Sequence, residues 1–164
     1  MTVSAAMEVA IRCLGGHKRW RGCVRGLFGL WSREFEIVSA GMFASAALTF
    51  LERMTFSDGA VAEREWKISE TESGLDLKAS KIKLVRSGVL QGGWLVFEYS
   101  LRLGAFSCRY VDRFRPAENG QVQNRGVARI MGIPVLRIEA AATTRTSAEG
   151  GRTIGTGTTV AALT

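Results

Sequence analysis

One histidine, two prolines and three cysteines in 164 residues leave little material for several kinds of chemistry. The histidine, His17, stands in a basic run and is expected to be exposed, so a Ser-His-Asp or Cys-His mechanism has no buried, oriented base. Cys13, Cys23 and Cys108 are odd in number and show no Cys-x-x-Cys spacing. Cys108 falls in an alternating stretch and reads as a small buried apolar residue. No set of His, Cys and carboxylate residues has the spacing of a metal site, so neither a metal nor a cofactor is expected. The glycine-rich segments lack the Lys-Ser/Thr of a phosphate loop.

No apolar run approaches the ~20 residues of a membrane-spanning helix. Residues 1–14 carry Glu8 and Arg12 and lack the basic start and clean apolar centre of a secretory signal. Cys13 behind Arg12 does not look like a lipoprotein cleavage site. As written, the chain is expected in the cytoplasm. It would be envelope-associated if the start is truncated.

What the sequence has is glycine and alternation. Apolar residues make up 46%, glycine numbers 19, and the formal net charge is +7. A Gly-rich, Pro-poor chain of short alternating runs suits twisted antiparallel sheet. The spacing predicts a short amphipathic helix over 4–14, with Ala6, Val9, Ala10 and Cys13 on one side. Strands follow from Trp20: 21–30, broken by Gly22, Gly26 and Gly29, then 33–38, a hairpin over 48–68, and 75–79 with 82–84. Further strands are expected over 94–103, 106–114, 122–131 and 135–143.

Nine or ten such strands in a meander have unpaired edges unless they close. The expected fold is therefore an all-β antiparallel up-and-down barrel of lipocalin type, with a two-sheet sandwich as its competitor. Residues 1–16 form the N-terminal segment, 17–144 the barrel domain, and 145–164 a small, polar tail expected to be disordered.

The hairpin carries the most specific signal. Ser57-Asp58-Gly59 separates two alternating arms. Leu48, Phe50, Met54 and Phe56 share a face with Glu52, and Ala62, Trp66 and Ile68 share one with Arg64. A two-residue loop would put these faces on opposite sides. An odd loop, such as Asp58-Gly59-Ala60, puts both inside. Glu52 then lies opposite Trp66 and diagonal to Arg64. A carboxylate and a guanidinium on an apolar face need each other, because either alone is costly to desolvate. The pair reads as a buried ion pair that fixes register. Alternatively, Arg64 receives a ligand carboxylate or phosphate and Glu52 orients it. Asp112, Arg113, Asn124 and Arg125 form a second polar group on late strands, with cross-strand pairing on the outer surface as the competing reading.

In order along the chain, Gly22, Gly26, Arg33, Phe35, Glu52, Phe56, Asp58-Gly59, Arg64 and Trp66 form a pattern. Gly88, Gly92, Tyr99, Asp112, Asn124-Arg125 and Gly132 continue it. Over about 20–144 the chain resembles the bacterial domain-of-unknown-function family 3833. The resemblance implies a lipocalin-like barrel, often found in envelope lipoproteins, and no established activity. The chain departs from that pattern at Lys81, where the family has an acidic residue, and at Val111-Asp112-Arg113, where it has Asp-Asp-Trp. The lipoprotein leader usual in that family is not read in residues 1–14, so either a truncated start or a cytoplasmic member is expected.

The chain is expected to be a binding module rather than an enzyme. Phe50, Trp66, Phe97 and Tyr99 would line a cavity for a small hydrophobic or amphipathic, anionic ligand. Glu52 and Arg64 would stand at its polar end, joined by Asp112, Asn124 and Arg125. A structural or interaction protein with a side-chain-filled barrel is the second reading. Acid–base chemistry by Glu52 and Asp112 is the weakest. Lys18, Arg19, Arg21 and Arg25, and Lys78, Lys81, Lys83 and Arg86, form basic patches. These read first as a solvated basic surface, with an anionic membrane surface as the alternative; nucleic acid, for which no motif is present, is not expected. A monomer is expected.

Overall fold

The computed structural model describes residues 3–144. A helix, α1 (Ala5–Leu14), precedes ten strands. These are β1 (Gly16–Arg25), β2 (Ser32–Ala44), β3 (Ala47–Phe56), β4 (Val61–Thr71) and β5 (Gly74–Ala79). They continue as β6 (Ile82–Gln91), β7 (Trp94–Leu103), β8 (Phe106–Pro116), β9 (Val122–Ile130) and β10 (Ile133–Thr144). Each strand pairs antiparallel with the next, and β1 pairs with β10, so the sheet closes into a barrel. Closure removes every free edge and excludes the sandwich. Among the described residues no helix is long and apolar enough to cross a membrane. The tail over 145–164 lies outside the described residues.

The strands run alternately between two ends. Helix α1 lies at the end where β1 begins, and Ser4 caps it. Its Oγ accepts a hydrogen bond from the Met7 N–H at 3.2 Å, satisfying one of the free donors of the first turn. Glu8 and Arg12 sit at the ends that the helix dipole favours. The buried residues are Met7, Ala10, Cys13 and Leu14, whereas Ala6 and Val9 are only half-buried. The expected face is therefore rotated, because the helix runs straight into β1 and its last turn is pressed onto the sheet. Gly41 of β2 passes so close that a Cβ there would stand 2.2 Å from the Leu14 carbonyl oxygen. Under α1 lies a layer of strand-end residues: Leu48, Ile68, Leu75, Leu95, Val122 and Ala142, all buried. Burying each large one contributes about 1.5–3 kcal/mol. This end is packed solid.

Three local expectations change. β1 starts at Gly16 and stops at Arg25, so 21–30 is not one strand. The chain instead turns through a short 3-10 segment, Leu27–Gly29, and the Trp31 indole folds over Gly26. A Cβ at Gly26 would lie 2.0 Å from that ring. The strand ends because the glycine admits the tryptophan.

The β3–β4 loop is odd, as the apolar faces require, but it begins one residue earlier than expected. Phe56 N–H donates to Ala60 O at 2.9 Å, so the loop is Ser57-Asp58-Gly59, with Gly59 at φ 85. Register moves by two: Glu52 faces Arg64, and Phe50 faces Trp66.

Lys18 leaves the surface patch. It points inward on β1, is 4% exposed, and donates from Nζ to Gly15 O at 2.7 Å. Burial pushes its pKa down. The other basic residues of both runs, Arg19, Arg21, Arg25, Lys78, Lys81, Lys83 and Arg86, are outside or partly so.

Candidate functional site

Below the packed layer the barrel is hollow. A cavity of about 440 Å³ occupies its middle and reaches toward the end opposite α1. Alternation on the strands builds its wall. Phe50 and Trp66 face inward from neighbouring strands and stack at 5.9 Å with rings 9° apart. Trp66 meets Tyr99 edge-on at 5.9 Å across the interior, and Tyr99 leans on Tyr110 at 5.2 Å. Such pairs add about 0.5–1.5 kcal/mol beyond their buried area. Phe97 is 1% exposed and closes the wall beside Gly88, where a Cβ would stand 2.3 Å from its ring. Gly126 makes room in the same way, since a Cβ there would stand 1.8 Å from the Tyr110 hydroxyl.

Besides the tyrosine and tryptophan rings, six polar side chains share this wall: Arg33, Ser39, Glu52, Arg64, Asp112 and Asn124. Ser39 is spoken for, because the Trp20 indole N–H donates to its Oγ at 3.1 Å. Asp112 is held on both oxygens. Asn124 Nδ2 donates to Oδ1 at 2.5 Å, and the Tyr99 hydroxyl donates to Oδ2 at 3.3 Å. Burial pushes the Asp112 carboxyl up to about 7. The Asn124 hydrogen bond opposes this, the Glu52 charge adds to it, and the Tyr99 hydroxyl again opposes it. Burial also pushes Glu52 up, partly offset by the Trp66 indole N–H and the Arg64 charge. The phenols of Tyr99 and Tyr110 are raised well above their ordinary value, first by burial and then by Asp112.

The expected ion pair does not form. Arg64 and Glu52 are register partners, yet no nitrogen–oxygen contact within 4.0 Å joins them. The guanidinium carbon instead lies 5.0 Å from the centre of the Trp66 ring. Among the described residues, Arg64 meets no carboxylate at ion-pair distance. The Trp66 indole nitrogen is buried and, among the described residues, meets no acceptor at full hydrogen-bond geometry, although it lies near enough to Glu52 to hold that carboxyl down. The cavity therefore presents a guanidinium that meets no carboxylate at ion-pair distance among the described residues, beside a Glu52 whose charged form the Trp66 indole and the Arg64 charge both favour.

Phe50, Glu52, Arg64, Trp66, Phe97, Tyr99, Asp112 and Asn124 thus line one cavity. Arg125 does not. Adjacent strand residues point to opposite faces, so it cannot join Asn124. It is exposed, with its guanidinium 5.6 Å from the centre of the Trp94 ring on the outer surface. Arg113 lies outside for the same reason, and its register partner is Arg125, a like charge. Outer cross-strand pairing fails for Asp112, which faces in.

Sequence reasoning missed Trp20, Arg33, Ser39 and Tyr110 as lining residues. Tyr110 was findable, because it alternates with Asp112. Arg33 is occupied by Asp58 and covers the Phe56 ring at 3.8 Å.

Two comparisons with known proteins bear on the chain. A family model described as a protein of unknown function (DUF3833) matches residues 6–143. No curated protein matches it.

Proposed function

Since this chain belongs to the DUF3833 family of proteins of unknown function, and neither activity nor ligand comes with that membership, we propose from its cavity that it is a non-catalytic binding barrel for a small amphipathic anion. The observation that carries the reading is the Arg64 guanidinium, facing a largely apolar 440 Å³ cavity with no carboxylate at ion-pair distance among the described residues. Small-molecule sites typically span roughly 300–1,000 Å³ and hold a few polar groups in an apolar wall. A carboxylate head would meet Arg64 in the fork geometry that guanidinium suits. The buried Trp66 N–H, close to Glu52, lies beside Arg64. The apolar part of the ligand would lie along Phe50, Trp66, Phe97 and Tyr99.

Binding fits better than catalysis. Both oxygens of Asp112 are engaged by Asn124 and Tyr99, and the Ser39 hydroxyl accepts from Trp20 with no base beside it. A positioned nucleophile–base pair is what covalent chemistry needs, and the cavity shows none among the described residues.

Native mass spectrometry of the purified chain tests the reading, together with titration by an anionic fluorescent fatty acid. One molecule should bind per chain. Arg64→Gln should keep the fold and weaken binding at least tenfold, while a neutral alcohol of the same length binds both forms alike. Equal affinity of the fatty acid for wild type and Arg64→Gln, or no binding at all, would overturn it.

A further inference from the structure

The end of the barrel opposite α1 is unlike the rest of the surface. Leu27, Phe28, Leu30 and Trp31 lie in the β1–β2 loop, Met131 and Ile133 at the β9–β10 turn, and Phe106 at the β7–β8 turn. Phe28 is 82% exposed, Leu30 80%, Met131 97% and Phe106 63%. Strand order places these three loops consecutively around the rim, because β2, β1, β10, β9, β8 and β7 are neighbours in turn. The loops therefore form one apolar arc of protruding tips rather than a groove.

Backbone geometry makes the arc harder to dismiss as chance. Phe28 has φ 52 and Met131 has φ 50. Both are left-handed positions, where Gly or Asn is favoured and a bulky side chain is strained. Met131-Gly132, with φ 50 and 84, occupies the two positive-φ positions of a tight hairpin, for which Asn-Gly is the usual choice. Local structure therefore favours a small polar residue at each position. Each instead holds an apolar side chain directed into water.

The turns themselves differ in charge along the same axis, while Arg12 of α1 and Arg115 beside the β8–β9 turn are cations near the other end's loops. The turns on the α1 side, 45–46, 72–73, 92–93 and 117–121, contain Glu72 and Glu118 and neither lysine nor arginine. Those at the rim, 26–31, 57–60, 80–81, 104–105 and 131–132, contain one acid, Asp58, and Arg33 neutralises it. Lys81 is in a rim turn, and Arg102 and Arg129 flank the β7–β8 and β9–β10 turns. All three are exposed and make no ion pair among the described residues.

We propose that this rim docks on an anionic lipid bilayer, its Phe28, Leu30, Trp31, Phe106 and Met131 side chains entering the interface and its free cations meeting lipid phosphates. Separate apolar tips set among unpaired cations match a headgroup layer, in which aromatic rings and basic side chains both find a place. A peptide partner would require a groove or a free strand edge, and closure leaves no such edge. Trp31 both lines the cavity and stands half-exposed on the rim, so docking would set the mouth of the cavity against lipid. The proposal goes beyond ligand binding and does not depend on it.

Flotation of the full chain with vesicles tests it. One set is phosphatidylcholine alone, and the other is phosphatidylcholine with a quarter phosphatidylglycerol. Binding is expected to the anionic vesicles only and to weaken steeply with salt. Each rim cation reversed should weaken it by about fivefold or more. Phe28→Asn with Met131→Asn is the decisive variant. It relaxes two strained positions, so its melting temperature should hold or rise while vesicle binding falls at least tenfold. Met42→Ser, at the α1 end, should bind as wild type does. Failure to bind anionic vesicles at low salt would overturn the proposal. So would undiminished binding by the double variant, or a dimer in sedimentation that the double variant abolishes.

Discussion

Asp112→Asn isolates one buried proton. The Asp112 carboxyl has its pKa pushed from 3.8 to about 7 by burial. In the unfolded chain it ionises near the ordinary value. Between those values the folded state holds a proton that the unfolded state has released. Stability of unfolding therefore falls as pH rises through that window and levels off above 7. Each pKa unit is worth about 1.36 kcal/mol, so the stretch from pH 5 to 7, with the group half-ionised at its upper end, costs about 2 kcal/mol through this group alone. Water in the cavity lowers that figure rather than raising it. Asparagine keeps the shape and still accepts from Asn124 while its NH2 turns to the Tyr99 hydroxyl. The measurement is urea unfolding of wild type and Asp112→Asn at pH 5, 6, 7 and 8. The variant should gain on wild type by about 2–3 kcal/mol across the series, and the gap should close toward acid. Parallel profiles would refute both the burial of this carboxyl and the sign of the argument. The same proton bears on binding. Ionised Asp112 sets a negative charge in a cavity that also holds Glu52, Arg64, Tyr99 and Tyr110. Affinity for an anionic amphiphile should therefore fall from pH 6 to 8 in wild type and stay flatter in Asp112→Asn.

Two further outcomes follow from the wall. Gly126→Ala would drive a methyl into the Tyr110 hydroxyl, so it should cost about 1–3 kcal/mol in urea unfolding, as overpacking does; a silent substitution would mean that the Tyr110 ring is free to leave. Because Glu52 and Arg64 face each other without ion-pair contact, a double-mutant cycle of Glu52→Gln and Arg64→Gln should show a coupling below ~1 kcal/mol, and a coupling above about 2 would mean that the pair closes in solution.

Period-two patterns are local, and that is why so much of the barrel could be read from the chain. Phe50, Glu52, Met54 and Phe56 declare a shared face without knowledge of any other strand. Parity of the β3–β4 loop follows as well, because the wrong parity would turn Trp66 and Ile68 to water. Parity does not fix register, however. Loops 57–59 and 58–60 bury the same side chains and differ only in which face each other. Local hydrogen bonds of Phe56 and the left-handed Gly59 decide it, and they place Glu52 opposite Arg64 rather than Trp66.

Distance in sequence explains the remainder. The 21–30 stretch carries enough apolar residues to pass for a strand, and only the approach of Trp31 onto Gly26 shows that it turns. Lys18 looks like one more surface cation until α1 is laid over the barrel end and brings the Gly15 carbonyl to its amine. Alternation alone separates Arg125 from Asn124, so the two cannot share one inward-facing site. Asp112 is the opposite case. Nothing near it in sequence raises its pKa; burial does so when the barrel closes, the Glu52 charge arriving from β3 adds to it, and Asn124 from β9 and Tyr99 from β7 hold it back. A site assembled from that many strands has residue types legible in advance and chemistry that exists only after closure. The same closure leaves Arg64 facing an apolar cavity with no acid at ion-pair distance among the described residues, where its sequence neighbours suggest a salt bridge.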